Sequence, residues 1–170
     1  MEIDKVIRAE IEYYNSLPCI FNGFAEVPLL TDGIIWLLCR EKITEISEKS
    51  KVPGYLFDIQ IGDMPIGNTL LRVGYTEELY YSGQIGYGIN EACRGNGYAM
   101  RACRLIARVA RYHKMKKLII SNDIANIASQ RVCEKLGARL VRTANIPRWH
   151  HEYSEGFRHM NIFEWDLGGL

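Results

Sequence analysis

The sequence predicts an α+β fold in which several strands come first, followed by a helix, a strand, a second helix and closing strands. Three observations predict this order. Apolar runs separated by glycine-containing turns between 34 and 89 are typical of consecutive strands. A long pattern of helical periodicity covers 97–113. A short apolar run at 117–121 then leads into a second helical segment, 128–136, that ends at Gly137, a residue type typical of helix C-caps.

The N-terminal 32 residues are predicted to contain one helix and a loop. Apolar residues recur at helical spacing over 3–15, which predicts a short amphipathic helix. Pro18 ends it, because the residue before a proline disfavours the helical conformation. A loop is expected from Cys19 to Asp32.

About seven strands are expected. Four of them precede the long helix, one lies between the two helices, and two close the chain around a loop at 147–156. The polar segment 41–51 has room for at most a few helical turns. The strands are expected at Ile34–Arg40, Tyr55–Gln60, Ile66–Val73, Gly83–Ile89, Lys117–Ser121, Arg139–Ala144 and Phe157–Leu167.

Composition indicates one compact domain, residues 1–170, without a membrane span. Apolar residues make up 48% of the chain and charged residues 24%, which are ordinary globular values. The net charge of +1 gives no general attraction to nucleic acid or to a membrane. The odd number of cysteines and the lack of a C-x-x-C spacing favour reduced thiols in a cytoplasmic protein, and no metal site is expected. The cysteines are Cys19, Cys39, Cys93, Cys103 and Cys133.

The segment after the fourth strand has the pattern of an anion-binding loop. The strand runs into Arg94-Gly95-Asn96-Gly97-Tyr98-Ala99, and the long helix begins there. Consecutive backbone N–H groups in such a loop form a concave set of donors, and the helix N-terminus adds partial positive charge. Gly95 and Gly97 allow close approach of a phosphate, because they carry no Cβ. A plain tight turn between strand and helix is the alternative interpretation.

A second motif follows about thirty residues later, and the pair resembles the GNAT superfamily of acyl-CoA N-acetyltransferases. The loop fits that family's Arg/Gln-x-x-Gly-x-Gly/Ala pattern, and Asn126 through Gly137 resembles its later Asn-helix-Glu-Lys-Leu-Gly motif. The resemblance extends from about Val52 to Ala138 and is closest to the branch with ribosomal-protein acetyltransferases. It implies a mixed central sheet of about seven strands, with main helices after strands four and five and an added N-terminal helix. The residues before Gly33 are atypical of the family.

The resemblance implies acetyl-CoA as co-substrate and a set of residues that hold it. Backbone groups of the fourth strand would bind the thioester and pantetheine, and the glycine loop would bind the pyrophosphate. Asn126 and Ser129 would face the pantetheine arm, although both residue types also serve as ordinary helix caps. Arg101 is either a cofactor-phosphate ligand or part of a solvated helix face. The expected cofactor-binding residues are Tyr87, Gly88, Ile89, Arg94, Gly95, Asn96, Gly97, Tyr98, Ala99, Met100, Asn126 and Ser129.

No strong catalytic base is visible in the sequence. Ser121 occupies the position where relatives often carry a glutamate as general base. Cys133 occupies the position where many carry a tyrosine as general acid. Gln84 occupies a position where relatives can carry an acid or a histidine, and His150 lies either in a loop that overhangs the acceptor cleft or in a plain surface loop. Cys133, Gln84 and His150 are therefore only weak catalytic candidates. Arg72, Tyr75, Tyr80 and Tyr81 are expected near the acceptor, and His113 is expected to be a core residue.

Two functions remain open at this point. The first is an acetyl-CoA-dependent N-acetyltransferase that acts on a primary amine by direct attack, the acceptor being a small molecule or a protein. The second is a non-catalytic acyl-CoA-binding or sensing module, because the usual glutamate and tyrosine are absent. No nucleic-acid partner is expected, and a homodimer is possible.

Overall fold

The computed structural model describes residues 2–27, 29–44 and 51–168. A short 3-10 helix, Glu91–Cys93, precedes α3. The helices are α1 Glu2–Asn15, α2 Glu77–Ser82, α3 Tyr98–Tyr112, α4 Ile127–Leu136 and α5 His151–Ser154. The strands are β1 Leu30–Thr31, β2 Trp36–Ile43, β3 Gly54–Ile61, β4 Met64–Arg72, β5 Ile85–Ile89, β6 Lys117–Asp123, β7 Arg139–Asn145 and β8 His159–Asp166. The predicted α+β fold and the order of its main elements are confirmed.

The described strands form two sheets. One has five strands in the order β1-β2-β3-β4-β5, and the other has three in the order β6-β8-β7, with antiparallel neighbours throughout. The expected central sheet is thus divided between β5 and β6, which are the strands that precede α3 and α4.

The two sheets meet at the start of β5. The backbone N–H of Gln84 donates to the Ile119 carbonyl over 2.9 Å, and its side-chain Oε1 accepts from the Ile119 N–H over 2.6 Å. A Cβ on the preceding Gly83 would lie 2.9 Å from the Ile119 oxygen, so only glycine allows this approach. Because a side-chain amide takes the place of a backbone ladder here, β5 and β6 separate beyond this point.

Helices cover opposite faces of β6. Leu118 and Ile120 belong to a large core that includes Leu105 and Ile106 of α3. Ile119 points the other way, because side chains alternate along a strand, and it packs with Ile11 of α1. The α1 helix therefore lies over the second sheet, where buried polar contacts also hold it.

Two of those contacts join α1 to distant parts of the chain. The Tyr14 hydroxyl donates to Glu164 of β8 over 2.7 Å. Glu10 accepts two hydrogen bonds from Arg142 of β7 at its Oε1, and Tyr80 of α2 donates to its Oε2 over 2.5 Å. The helix that the sequence predicts is confirmed, and it contacts α2 and the second sheet.

Two short helices lie where only turns or loops were expected. The first is α2, in the segment that was expected to be a turn, and Thr76 caps it by accepting from the Leu79 N–H. The second is α5, where the His150 side chain accepts from the Glu152 N–H. β2 also continues to Ile43, and the helical turns considered for 41–51 fall mostly on 45–50, outside the described residues.

Candidate acetyl-CoA site

The glycine loop has the backbone conformation that its sequence predicts. Gly95 and Gly97 have φ angles of +83° and +75°, in the region that residues with a Cβ rarely adopt. Gly97 is the N-cap of α3. The Asn96 side chain donates to the carbonyls of Cys93 and Arg94 and so braces the loop from within. The loop therefore presents backbone N–H groups at the start of a long helix.

The edge of β5 that faces away from β4 carries free backbone groups. At the two ends of the ladder, Gln84 accepts from Arg72 and Asn90 donates to the Ile66 carbonyl. In an antiparallel pair, alternate residues direct their backbone groups to the same partner. The intervening odd-numbered residues of β5 therefore direct theirs to the opposite edge. The Arg94 Nε donates to the Ile89 carbonyl over 2.9 Å, and within the described chain the N–H groups of this edge have no backbone partner outside the sheet.

This edge and the glycine loop line one cleft of about 510 Å³ between β5 and α4. The cleft includes all of the expected cofactor residues except Asn96, whose side chain points into the loop. Among the described residues, no aspartate, glutamate or histidine lines it. The lining residues are Tyr87, Gly88, Ile89, Cys93, Arg94, Gly95, Gly97, Tyr98, Ala99, Met100, Asn126, Ala128, Ser129, Arg131, Val132 and Lys135.

Residues at the N-terminus of α4 both cap this helix and line the cleft. The Asn126 Oδ1 accepts from the Ser129 N–H over 3.1 Å, so the helix-cap interpretation of Asn126 is confirmed. The Ser129 hydroxyl lies 2.7 Å from the Tyr87 hydroxyl and ties α4 to β5. Burial raises the pKa of Tyr87 far above its usual range, so this phenol stays protonated. Both Asn126 and Ser129 nevertheless lie in the wall of the cleft.

Two cations of the cleft were missed in the sequence. Arg131 and Lys135 are exposed, stand four residues apart on α4 and therefore share one face. Their spacing was the available signal, but choosing this face required the orientation of α4. Arg101, the cation considered in the sequence, does not line the cleft; its Nη1 lies 2.7 Å from Asp32 Oδ2.

Cys133 lies beneath the cleft and has no exposed surface. Asn122 donates to its Sγ over 3.6 Å. Burial raises the pKa of the Cys133 thiol to about 12, although hydrogen bonds from Asn122 and Tyr87 oppose the rise. The side chain is therefore a protonated thiol at neutral pH and is not among the residues that line the cleft.

The other weak catalytic candidates have structural partners. Gln84 is fully buried, and besides its contacts with Ile119 its Nε2 donates to the Gly74 carbonyl. His150 is 1% exposed, and its Nε2 donates to the Glu78 carbonyl over 2.9 Å, so the expectation of a surface-loop residue is wrong. Burial lowers the pKa of His150, with the Glu78 carbonyl opposing the shift. Neither residue lines the cleft.

His113 is a core histidine, as expected. It is 1% exposed, and its Nδ1 donates to the Ile20 carbonyl while its Nε2 accepts from the Tyr55 hydroxyl over 2.7 Å. The three tyrosines expected near the acceptor are also engaged. Tyr75 donates to the Lys117 carbonyl, Tyr80 binds Glu10, and Tyr81 is 5% exposed. Arg72 of that expected group has a buried Nε without a hydrogen-bond partner.

All five thiols are free. Within 2–27, 29–44 and 51–168, no group of three or more His, Cys, Asp and Glu side chains is placed to hold a metal ion. In the same part of the chain, no helix is both long enough and apolar enough to cross a bilayer.

Solved acetyltransferase structures share this fold. The Salmonella typhimurium acetyl transferase that modifies the N-terminal serine of ribosomal protein L7/L12 is 16% identical, with a TM-score of 0.53 over 66% of this chain and 63% of that one. A GNAT-family acetyltransferase from Bacillus anthracis is 19% identical, with a TM-score of 0.53 over 66% of each chain. The Microcin C7 self-immunity acetyltransferase MccE, solved with acetyl-CoA and AMP, is 15% identical, with a TM-score of 0.51 over 66% and 61%.

In each case the match spans less than two thirds of the solved protein's own length. No curated protein sequence matches the chain significantly. The model of the acetyltransferase (GNAT) domain matches residues 33–139, which contain β2 to β6, the glycine loop and α4. The chain therefore belongs to the GNAT acetyltransferase family.

Proposed function

We propose that this protein is an acetyl-CoA-dependent N-acetyltransferase that transfers an acetyl group to a primary amine by direct attack. The observation that carries the proposal is the cleft, in which a glycine loop at a helix N-terminus adjoins the free edge of β5. The loop suits a pyrophosphate, because its N–H groups converge and the helix start is positive. The strand edge suits the amides of a pantetheine arm, which can add to it as a further strand.

The residues supply binding and electrostatic stabilisation. The N–H groups of Tyr87 and Ile89 on the free edge would donate to the thioester carbonyl, on which negative charge develops as the amine attacks. Arg131 and Lys135 would balance phosphate charge at the outer end of the cleft. The cleft lining offers no carboxylate or imidazole to deprotonate the amine. The amine would therefore enter as the neutral form or lose its proton to water.

The lack of a carboxylate or imidazole in the described cleft lining also favours a second candidate, a non-catalytic acyl-CoA-binding module. Such a protein would use the identical cleft and would need no acceptor. Ser121, at the position where relatives often carry a glutamate, supports this candidate as well, since a serine hydroxyl is a poor base.

One experiment separates the two candidates. Purified protein is mixed with acetyl-CoA and a panel of primary amines, including peptides with free N-termini, and the release of free thiol is followed. Amine-dependent thiol release supports acetyl transfer. Acetyl-CoA binding by calorimetry without thiol release on any amine supports the binding module, and absence of binding rejects both. The Salmonella relative modifies a protein N-terminus, so a peptide that begins with serine belongs in the panel.

A further inference from the structure

One arginine on the side opposite the cofactor cleft lacks a carboxylate partner. Arg72 ends β4, and its Nη1 donates to the Gly83 carbonyl over 3.1 Å. Its Nε is buried and has no hydrogen-bond partner. By contrast, Arg101, Lys117 and Arg142 each have a carboxylate oxygen within 3.0 Å. Within the described chain, the edge of the Arg72 guanidinium formed by Nε and Nη2 donates no hydrogen bond.

Arg72 occupies the outer face of the first sheet. Its neighbours Leu71 and Val73 are buried in the core with α3, so the side chain between them points to the opposite face. Farther along this outer face, β5 presents Gly86 and Gly88, where a Cβ would meet no atom closer than 4.0 Å. No side chain of β5 therefore stands between Arg72 and the backbone edge proposed to hold the thioester.

The arginine also lies at the junction of the two sheets, through its bond to Gly83. Its partner Gly83 is in close contact with β6, because a Cβ there would lie 3.0 Å from the Ser121 nitrogen. Burial lowers the pKa of Arg72, and the charge of Glu152 opposes that shift. The Glu152 carboxylate also lies 3.5 Å from the His151 Nε2.

We propose that Arg72 binds an anionic group of the acceptor, so that the substrate is a primary amine that also carries a carboxylate or a phosphate. This inference rests on the proposed acetyl transfer. A buried charge without a partner is costly, and an anion supplied by the substrate would remove that cost. A guanidinium can donate two parallel hydrogen bonds, which both anions accept.

The test uses pairs of amines that differ only in the anionic group. One pair is 4-aminobutyrate and butylamine, and the other is phosphoethanolamine and ethanolamine, so the two arms distinguish carboxylate from phosphate. The wild-type protein is expected to prefer the anionic member of at least one pair by tenfold or more in kcat/KM. Arg72→Gln is expected to reduce that preference at least tenfold through KM, whereas Arg108→Gln, on the exposed face of α3, keeps it.

A purely structural role of Arg72 gives a different result. If its bond to Gly83 merely supports the fold, Arg72→Gln lowers kcat/KM for both members equally and leaves the preference intact, which overturns the inference. Equal use of both members by the wild type overturns it too. If Arg72→Gln does not fold, Arg72→Lys is tested in its place. Lysine keeps the charge but cannot donate a bidentate hydrogen bond, so a reduced preference for the anionic amine is expected.

The failure of acetyl transfer is distinguishable from the failure of this inference. Transfer to no amine, with acetyl-CoA binding intact, rejects the transferase and leaves the anion site to be tested by binding. Calorimetry of the protein saturated with coenzyme A then compares the two members of each pair. Stronger binding of an anionic member, lost in Arg72→Gln, supports the inference, and equal or absent binding of both members overturns it.

Discussion

The hydroxyl groups of Tyr87 and Ser129 lie 2.7 Å apart and join β5 to the N-terminus of α4 across the inner end of the cofactor cleft. The main chain on one side of this bond is the edge proposed to hold the thioester, and on the other side it is the capped start of a helix. The bond therefore sets the separation of the two walls of the cleft.

Removing this bond is expected to weaken both stability and cofactor binding modestly. Tyr87→Phe and Ser129→Ala should each lower the free energy of unfolding by about 0.5–1.5 kcal/mol, the usual net value of a hydrogen bond. The double variant should cost less than the sum of the two, because both changes remove the same bond. Urea unfolding of the four proteins measures this coupling. Strict additivity would show that the two hydroxyls do not interact.

Gly97→Val is expected to abolish coenzyme A binding. In the free protein a Cβ at Gly97 meets only the Met100 Cε, at 4.0 Å, so the added side chain would project into space meant for the pyrophosphate. The strain of a positive φ is matched in Gly137→Val, since Gly137 has φ 76° and ψ 20° against 75° and 15° for Gly97.

Both glycine variants should lose stability, by about 1–3 kcal/mol for the unfavourable conformation. Only Gly97→Val should lose binding, because Gly137 does not line the cleft. Calorimetry at a temperature where both variants remain folded gives the comparison. Unchanged affinity in Gly97→Val would reject the loop as the phosphate site.

The cations of α4 are expected to matter more for coenzyme A than Arg101 does. Arg131→Ala and Lys135→Ala should each weaken binding about twofold to fivefold, as expected for exposed charge pairs of up to about 1 kcal/mol, and should reduce its salt dependence. Arg101→Ala removes a pair with Asp32 and should change the affinity no more than Arg108→Ala, an exposed control on the same helix. A larger loss in Arg101→Ala than in Arg131→Ala would contradict this ranking.

Local chemistry explains why much of the fold follows from the sequence. Gly97 marks the start of α3, and Gly137 marks the end of α4. Both have positive φ angles, which glycine alone adopts readily. Helix α2 was predictable too, because Thr76 followed by two glutamates is an N-cap with an acidic first turn. Such signals depend on residues that are neighbours in the chain.

Contacts between distant segments explain what the sequence did not reveal. The sequence suggested Gln84 as a weak catalytic candidate. Its partner Ile119 lies 35 residues away, and the hydrogen bond between them joins the two sheets. Arg101 pairs with Asp32 across 69 residues. Arg131 lines the cleft and Arg101 does not, and tertiary packing decides which face of each helix is turned to the cleft.

Cys133 is expected to be dispensable for acetyl transfer, although many relatives carry a tyrosine that acts as general acid at its position. With a pKa of about 12 the buried thiol is a poor proton donor, and a departing thiolate needs little help, since its own conjugate acid resembles free cysteine. Cys133→Ala should keep at least a tenth of wild-type turnover, and mass spectrometry should find no acetylated Cys133. A hundredfold loss of turnover with intact coenzyme A affinity would make Cys133 a catalytic residue.

Stability is expected to fall as the pH drops below about 7, because two buried histidines resist protonation. Burial lowers the pKa of His113 and of His150 below the ordinary value of 6.5, while carbonyl partners at Ile20 and Glu78 oppose the shifts. The unfolded chain then binds more protons than the folded one in the interval below 6.5. The free energy of unfolding therefore rises with pH through this interval and is fully recovered above it.

Urea unfolding between pH 5 and pH 8 measures that slope. At His113 the added proton would sit on Nε2, which accepts from the Tyr55 hydroxyl, so protonation breaks an existing bond. His113→Gln should lower stability at pH 8 and flatten the slope between pH 7 and pH 5. His159→Gln, at an exposed position of β8, is the control measured beside it. A His113→Gln slope as steep as that of the wild type would show that His113 titrates alike in both states.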